Sequence, residues 1–111
     1  MLHWLKRGDI AQDIADHLQV LLNTRQGSLA HMPQYGMPDI FEMDTFFWKE
    51  QLATVLTQVI ENYEPRLSQV SVHLMPGEWG RVRIAAQLRS GQAMLFDTEF
   101  EDNGTATVIP T

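Results

Sequence analysis

The sequence predicts an α+β domain, with two helices packed on one face of a four-stranded, mainly antiparallel sheet. Apolar residues recur at helical spacing twice before position 64. After position 67 they alternate at period two, the pattern of half-buried strands. Pro65 separates the two regimes, because its ring pushes Glu64 out of the helical region toward extended geometry. With 111 residues the chain is expected to be a single domain over 1–111.

The first helix is expected from near Asp9 to Asn23. Asp9 can cap it, with Gln12 three residues on. Ile10, Ile14, Leu18, Leu21 and Leu22 make its apolar stripe, and Asn23 tolerates the left-handed conformation that ends helices. Residues 24–43 hold no steady period and carry Gly27, Pro33, Gly36 and Pro38. Tyr35, Met37, Ile40 and Phe41 are expected to pin this long loop. Asp44 or Thr45 caps a second helix, which presents Trp48, Leu52, Val55, Leu56, Val59, Ile60 and Tyr63 on a wide face and stops at Pro65.

The remainder reads as a meander. Val70, Val72 and Leu74 share one face of the first strand, Val82, Ile84, Ala86 and Leu88 of the second, and Met94, Phe96, Thr98 and Phe100 of the third. A three-residue loop at Ser90, Gly91 and Gln92 sets Val82 against Phe100. It also sets Arg83 against Glu99 and Arg81 against Glu101, favourable cross-strand pairs. A turn at "DNG", with Gly104 in the left-handed position, leads to the last strand, "TATVI". That uncharged strand is expected to be an open edge, suited to strand addition by a partner.

Composition excludes several classes. Hydrophobic residues are 44% and charged residues 20%, an ordinary globular balance. A net charge of −6 argues against nucleic acid, whose binders must displace counterions with positive charge. There is no cysteine, hence no disulfide, thiol nucleophile or thiolate metal site. The start, "MLHWLKRGD", is too short and too soon charged for a signal peptide, and nothing approaches a membrane span. The expectation is a cytoplasmic protein without direct membrane insertion.

Little chemistry is written in the motifs. His3, His17, His31 and His73 do not fall at metal-ligand spacing, and no phosphate loop or nucleophile elbow occurs. No metal or cofactor is expected. Glu61 and Glu64 could share a helix end, but Arg66 beside Glu64 lowers a carboxylate pKa, the wrong direction for a general acid. Trp4, Trp48 and Trp79 are each readable as a sugar platform or as core, with Trp79 in a turn favouring an interface. Arg81, Arg83 and Arg89 are either a charge stripe for a partner or a solvated face paired with Glu99 and Glu101.

Three stretches in order, "LLNTRQGS", "QYGMPD" and "NYEPRL", followed by the meander, resemble the TssE family, the baseplate wedge subunit of bacterial type VI secretion systems. The family is similar to the small wedge protein of contractile phage tails and was long labelled lysozyme-like. The resemblance runs from about Leu18 to Val108. It implies a structural protein, not an enzyme, that joins the wedge core to the contractile sheath and helps start sheath assembly. Its implied partners are the wedge subunits TssF and TssG, with TssK a further candidate, and the sheath proteins TssB and TssC. The family's Glu-Pro-Arg signature maps onto Glu64, Pro65 and Arg66, and its loop elements onto Asn23, Thr24, Arg25, Tyr35, Gly36, Pro38 and Asp39. The implied partner-binding residues are Glu64, Pro65, Arg66, Arg25, Tyr35 and Asp39. A peptidoglycan hydrolase and a regulatory anti-adaptor of similar fold are the competing readings. Proline preorganises the flanking acid and base, and an arginine fork presents geometry that lysine lacks.

Overall fold

The computed structural model describes residues 7–40, 45–77 and 80–111, with side chains for 10–40, 50–77 and 80–111. The readings of His3, Trp4, Trp48 and Trp79, of Phe41 as a loop anchor and of Asp9 and Asp44 as capping side chains lie outside the described residues. Helix α1 spans Arg7–Asn23 and α2 spans Thr45–Tyr63. Strands β1 (Leu67–Leu74), β2 (Arg81–Leu88), β3 (Ala93–Phe100) and β4 (Ala106–Pro110) follow, paired antiparallel in the order β1-β2-β3-β4. Helix α1 already includes Arg7, so Asp9 lies within the helix and not at its cap.

Both helices cover one face of the sheet, α1 beneath β4 and α2 beneath β1. Ile14, Leu18, Leu21 and Leu22 of α1 and Leu52, Leu56, Val59 and Ile60 of α2 pack on Val82, Ile84, Met94, Phe96, Phe100, Ala106 and Val108 of the sheet. Burial of this apolar area is the main stabilising term. Ile10 is the exception in the α1 stripe, with 44% of its surface exposed at the helix's first turns. Thr98 is buried in the same core, and its hydroxyl has no hydrogen-bond partner among the described residues.

The β2–β3 register corrects the expectation by two residues. The loop is Arg89, Ser90 and Gly91, closed by bonds from the Leu88 N–H to the Gln92 carbonyl (2.9 Å) and from the Gly91 N–H to the Leu88 carbonyl (2.8 Å). Gly91 takes the left-handed place with φ +94°. Val82 therefore faces Thr98, and the charged pairs are Arg81 with Glu99 (3.2 Å) and Arg83 with Asp97 (3.1 Å). A shift by two keeps every side chain on its face, so alternation alone could not distinguish the registers. In β1 a bulge between Ser68 and Ser71 puts Gln69 at φ 51°. The extra residue lets Leu67 and Val70, three apart, both turn toward the core.

The last strand is not the open edge expected of it. Its N–H and C=O groups at Ala106 point away from β3 and are taken by the Asn23 amide, at 2.8 Å each, while Gln19 Oε1 accepts from the Val108 N–H at 3.0 Å. Two α1 side chains thus cap the edge and occupy positions that an added strand would need. Asn23 also holds its own helix end, donating to the Gln19 carbonyl at 2.7 Å.

Candidate functional site: the corner between α2 and β1

Helix α2 ends where Pro65 cannot continue it. The Glu64 N–H still donates to Ile60 (2.8 Å), and the Leu67 N–H donates back to the Glu64 carbonyl (3.1 Å). That closes a β-turn with proline in its favoured second position. The turn reverses the chain into β1 and leaves Pro65 and Arg66 exposed while Glu64 points inward, only 1% exposed.

A buried carboxylate needs its oxygens satisfied, and Glu64 has four donors. Arg66 supplies a fork, Nε to Oε1 and Nη2 to Oε2, both at 2.8 Å, and its backbone N–H reaches Oε1 at 3.1 Å. His17 of α1 adds Nδ1 to Oε2 at 2.6 Å. Burial alone pushes the Glu64 carboxyl up, but the hydrogen bonds from Arg66 and His17 outweigh it and hold the pKa at about 2. The same bond raises the Arg66 guanidinium further, with help from the Asp13 charge.

The chain of contacts continues into the long loop. Nδ1 of His17 carries the proton it gives to Glu64, and Nε2 lies 3.1 Å from the Tyr35 hydroxyl. In the neutral ring that nitrogen accepts from Tyr35. The Tyr35 ring stands edge-on to Tyr63 with centroids 5.2 Å apart. Burial and the Glu64 charge raise the Tyr35 pKa, so its hydroxyl keeps its proton. Helix α1, the loop, the end of α2 and the start of β1 are therefore tied at one point.

The loop itself is closed at its base. Met37 donates to the Thr24 carbonyl (2.7 Å) and Gln26 donates to the Met37 carbonyl (2.9 Å), while the Met37 and Ile40 side chains plug the core. Gly36 permits this approach: its φ is +107°, and a Cβ there would sit 2.4 Å from the Thr24 carbonyl oxygen.

Of the expected partner-binding residues, the structure brings Glu64, Pro65, Arg66 and Tyr35 to this corner. Glu64 faces inward, so its contact is with Arg66 rather than with a solvent-side partner. Arg25 sits at the loop base, bridged to Met37, with Nη1 3.5 Å from the Leu22 carbonyl. Asp39 is exposed and has no described bond to Arg66; the acid that braces Arg66 is Glu64. Sequence reasoning missed His17 and Tyr63 as members. The available signal was the place of His17 beside the apolar stripe of α1, three residues after Ile14, which makes it half-buried.

Among the described residues no group of three or more His, Asp and Glu side chains could hold a metal ion, and no helix is long and apolar enough to cross a membrane. Glu64, held at about 2, keeps no proton at neutral pH to give as a general acid. It can hold one guanidinium rigidly at the surface, 45% exposed.

Comparison with known proteins agrees with a structural role. The chain is similar to a subunit of the baseplate complex from the type VI secretion system, at 28% identity and a TM-score of 0.52 over 94% of this chain and 92% of that one. It also shares its fold with a crystallised Geobacter sulfurreducens protein described as a tail lysozyme, at 20% identity and a TM-score of 0.52 over 96% and 92% of the two chains. No curated protein matches the chain. The sequence profile of baseplate wedge protein gp25 matches residues 9–93, most of the 111-residue chain, which therefore belongs to the gp25 family of structural baseplate wedge proteins.

Proposed function

We propose that the chain is the TssE-type wedge subunit of a type VI secretion baseplate, working as one 1–111 domain on the cytoplasmic side of the inner membrane. Arg66 docks on the core formed by TssF and TssG, with TssK close by, and the sheet meets the TssB and TssC sheath. One observation carries the reading: Arg66 is held in a bidentate fork by a carboxylate that solvent does not reach. A guanidinium fixed before binding loses little freedom on docking, so its contact contributes more to affinity. Glu64, His17 and Tyr35 act as positioning residues behind it, and Pro65 shapes the turn. With β4 capped by α1, the sheath contact falls to β1. The Met75 N–H bonds to the Arg81 carbonyl, which phases the ladder so that Val72 and Leu74 turn their backbone groups outward.

The hydrolase reading requires a carboxyl that keeps a proton at neutral pH, and Glu64 at a pKa of about 2 has none. The match to a baseplate subunit likewise supports assembly over the anti-adaptor role. The test is capture of TssF and TssG by purified wild type, Arg66→Ala, and the double variant Glu64→Gln with Arg66→Ala. The double variant removes the guanidinium without stranding a buried charge. Loss of capture by a double variant that stays folded supports docking through Arg66. Normal capture by that variant defeats it.

A further inference from the structure

Beside Arg66 lies a cleft of about 300 Å³, lined by Ile10 of α1, Arg66, Leu88, Arg89 and Ser90. That is roughly twice the ~150 Å³ of an apolar cavity known to accept benzene. Its lining is mostly apolar surface, although two of the residues that form it are arginines. Ile10, 44% exposed, and the half-buried Leu88 supply the apolar floor.

The rim charges are unbalanced. Leu67 faces Leu88 at the end of the β1–β2 ladder, and the turn residues next to them, Arg66 and Arg89, line the same cleft. Arg66 is compensated by Glu64, with Asp13 nearby on α1. Arg81 and Arg83 are likewise paired, with Glu99 and Asp97. Arg89 has no acidic partner among the described residues. An arginine without an acidic partner among the described residues, beside a second arginine and over an apolar floor, is complementary to an acidic group.

Resting on the docking reading above, we infer that this cleft seats an aliphatic side chain flanked by carboxylates on a neighbouring baseplate subunit, with Arg89 as the second anion-binding group beside Arg66. The anchor would cover Ile10 and Leu88, and the carboxylates would neutralise the rim. An apolar centre with a polar rim is the usual anatomy of a protein–protein interface.

The test is titration of the purified wedge complex, assembled without this subunit, with wild type, Arg66→Ala, Arg89→Glu, Arg89→Lys, Ile10→Asp and Arg83→Ala. Ile10 and Arg89 are exposed, so the variants at these two positions should melt within about 2 °C of wild type. The expected result is at least about tenfold weaker binding for Arg66→Ala, Arg89→Glu and Ile10→Asp. Arg89→Lys should lose less, and Arg83→Ala should bind as wild type does. If Arg89→Glu and Ile10→Asp bind normally while Arg66→Ala does not, the cleft inference is overturned and the docking reading stands. Tighter binding by Arg89→Glu overturns the assignment of an acidic partner. Normal binding by Arg66→Ala overturns the docking reading and the cleft inference with it.

Discussion

Arg66→Ala is expected to destabilise the domain, although the residue sits in an exposed turn. A surface site without special contacts would change stability by roughly 0.5 kcal/mol at most. Arg66 instead provides both side-chain donors of the fork on Glu64, each at 2.8 Å. Truncation leaves a carboxylate that is 1% exposed with His17 and one backbone N–H. Breaking a fully buried pair costs about 3–5 kcal/mol, whereas a fully exposed pair is worth about 0–1. With one partner buried and the other 45% exposed, about 2–3 kcal/mol is reasonable. That corresponds to a fall in Tm of roughly 10 °C for a domain of this size. The double variant Glu64→Gln with Arg66→Ala should recover most of the loss, since the introduced amide can still meet His17 and carries no charge. Differential scanning calorimetry at neutral pH measures all three proteins. A single variant melting within about 2 °C of wild type, or a double variant melting no higher than the single, would refute the reasoning.

Other outcomes follow from particular contacts. The Glu64 carboxyl, held at about 2 against an ordinary 4.5, contributes stability that is complete above pH 4.5 and lost as the pH falls toward 2. Acid titration of wild type should show a loss on the order of 2–3 kcal/mol in that window, largely absent from Glu64→Gln. Asn23→Ala removes both bonds to Ala106 and should cost about 1–2 kcal/mol in urea unfolding; Asn23→Asp, which keeps only the acceptor, should lie between. Thr98→Val removes a buried hydroxyl that has no partner among the described residues and should raise stability by about 1 kcal/mol by the same measurement. Gly36→Ala should cost more than about 2 kcal/mol because its Cβ meets the Thr24 carbonyl, whereas Gly27→Ala, with open space around it, should cost about 1.

The element order was legible because hydrophobic period and breakers agree along the chain. The helix stop at Pro65 and the turn at Gly104 rest on local stereochemistry, which sequence displays directly. The β2–β3 register was not legible. Shifting the turn from Ser90, Gly91 and Gln92 to Arg89, Ser90 and Gly91 keeps Val82, Ile84, Phe96 and Phe100 on the inner face, and both registers offer arginine–acid pairs. The bulge at Gln69 was hidden because it needs a non-glycine residue at positive φ. At the site, the pairing of Glu64 with Arg66 is two residues long and visible. The tie from Glu64 to His17 spans 47 residues and that from His17 to Tyr35 spans 18, and neither follows from local pattern. The capping of β4 by Gln19 and Asn23 escaped for the same reason: polar side chains at the rim of an apolar stripe find their partners only after the helix has docked.

The most direct test of the account is an electron cryo-microscopy structure of the wedge complex with this chain in place. Arg66 should be buried against a neighbouring baseplate subunit while still forked to Glu64, with His17 and Tyr35 unmoved behind it. A structure in which the corner between α2 and β1 faces solvent, and the chain is held by another surface, would contradict it.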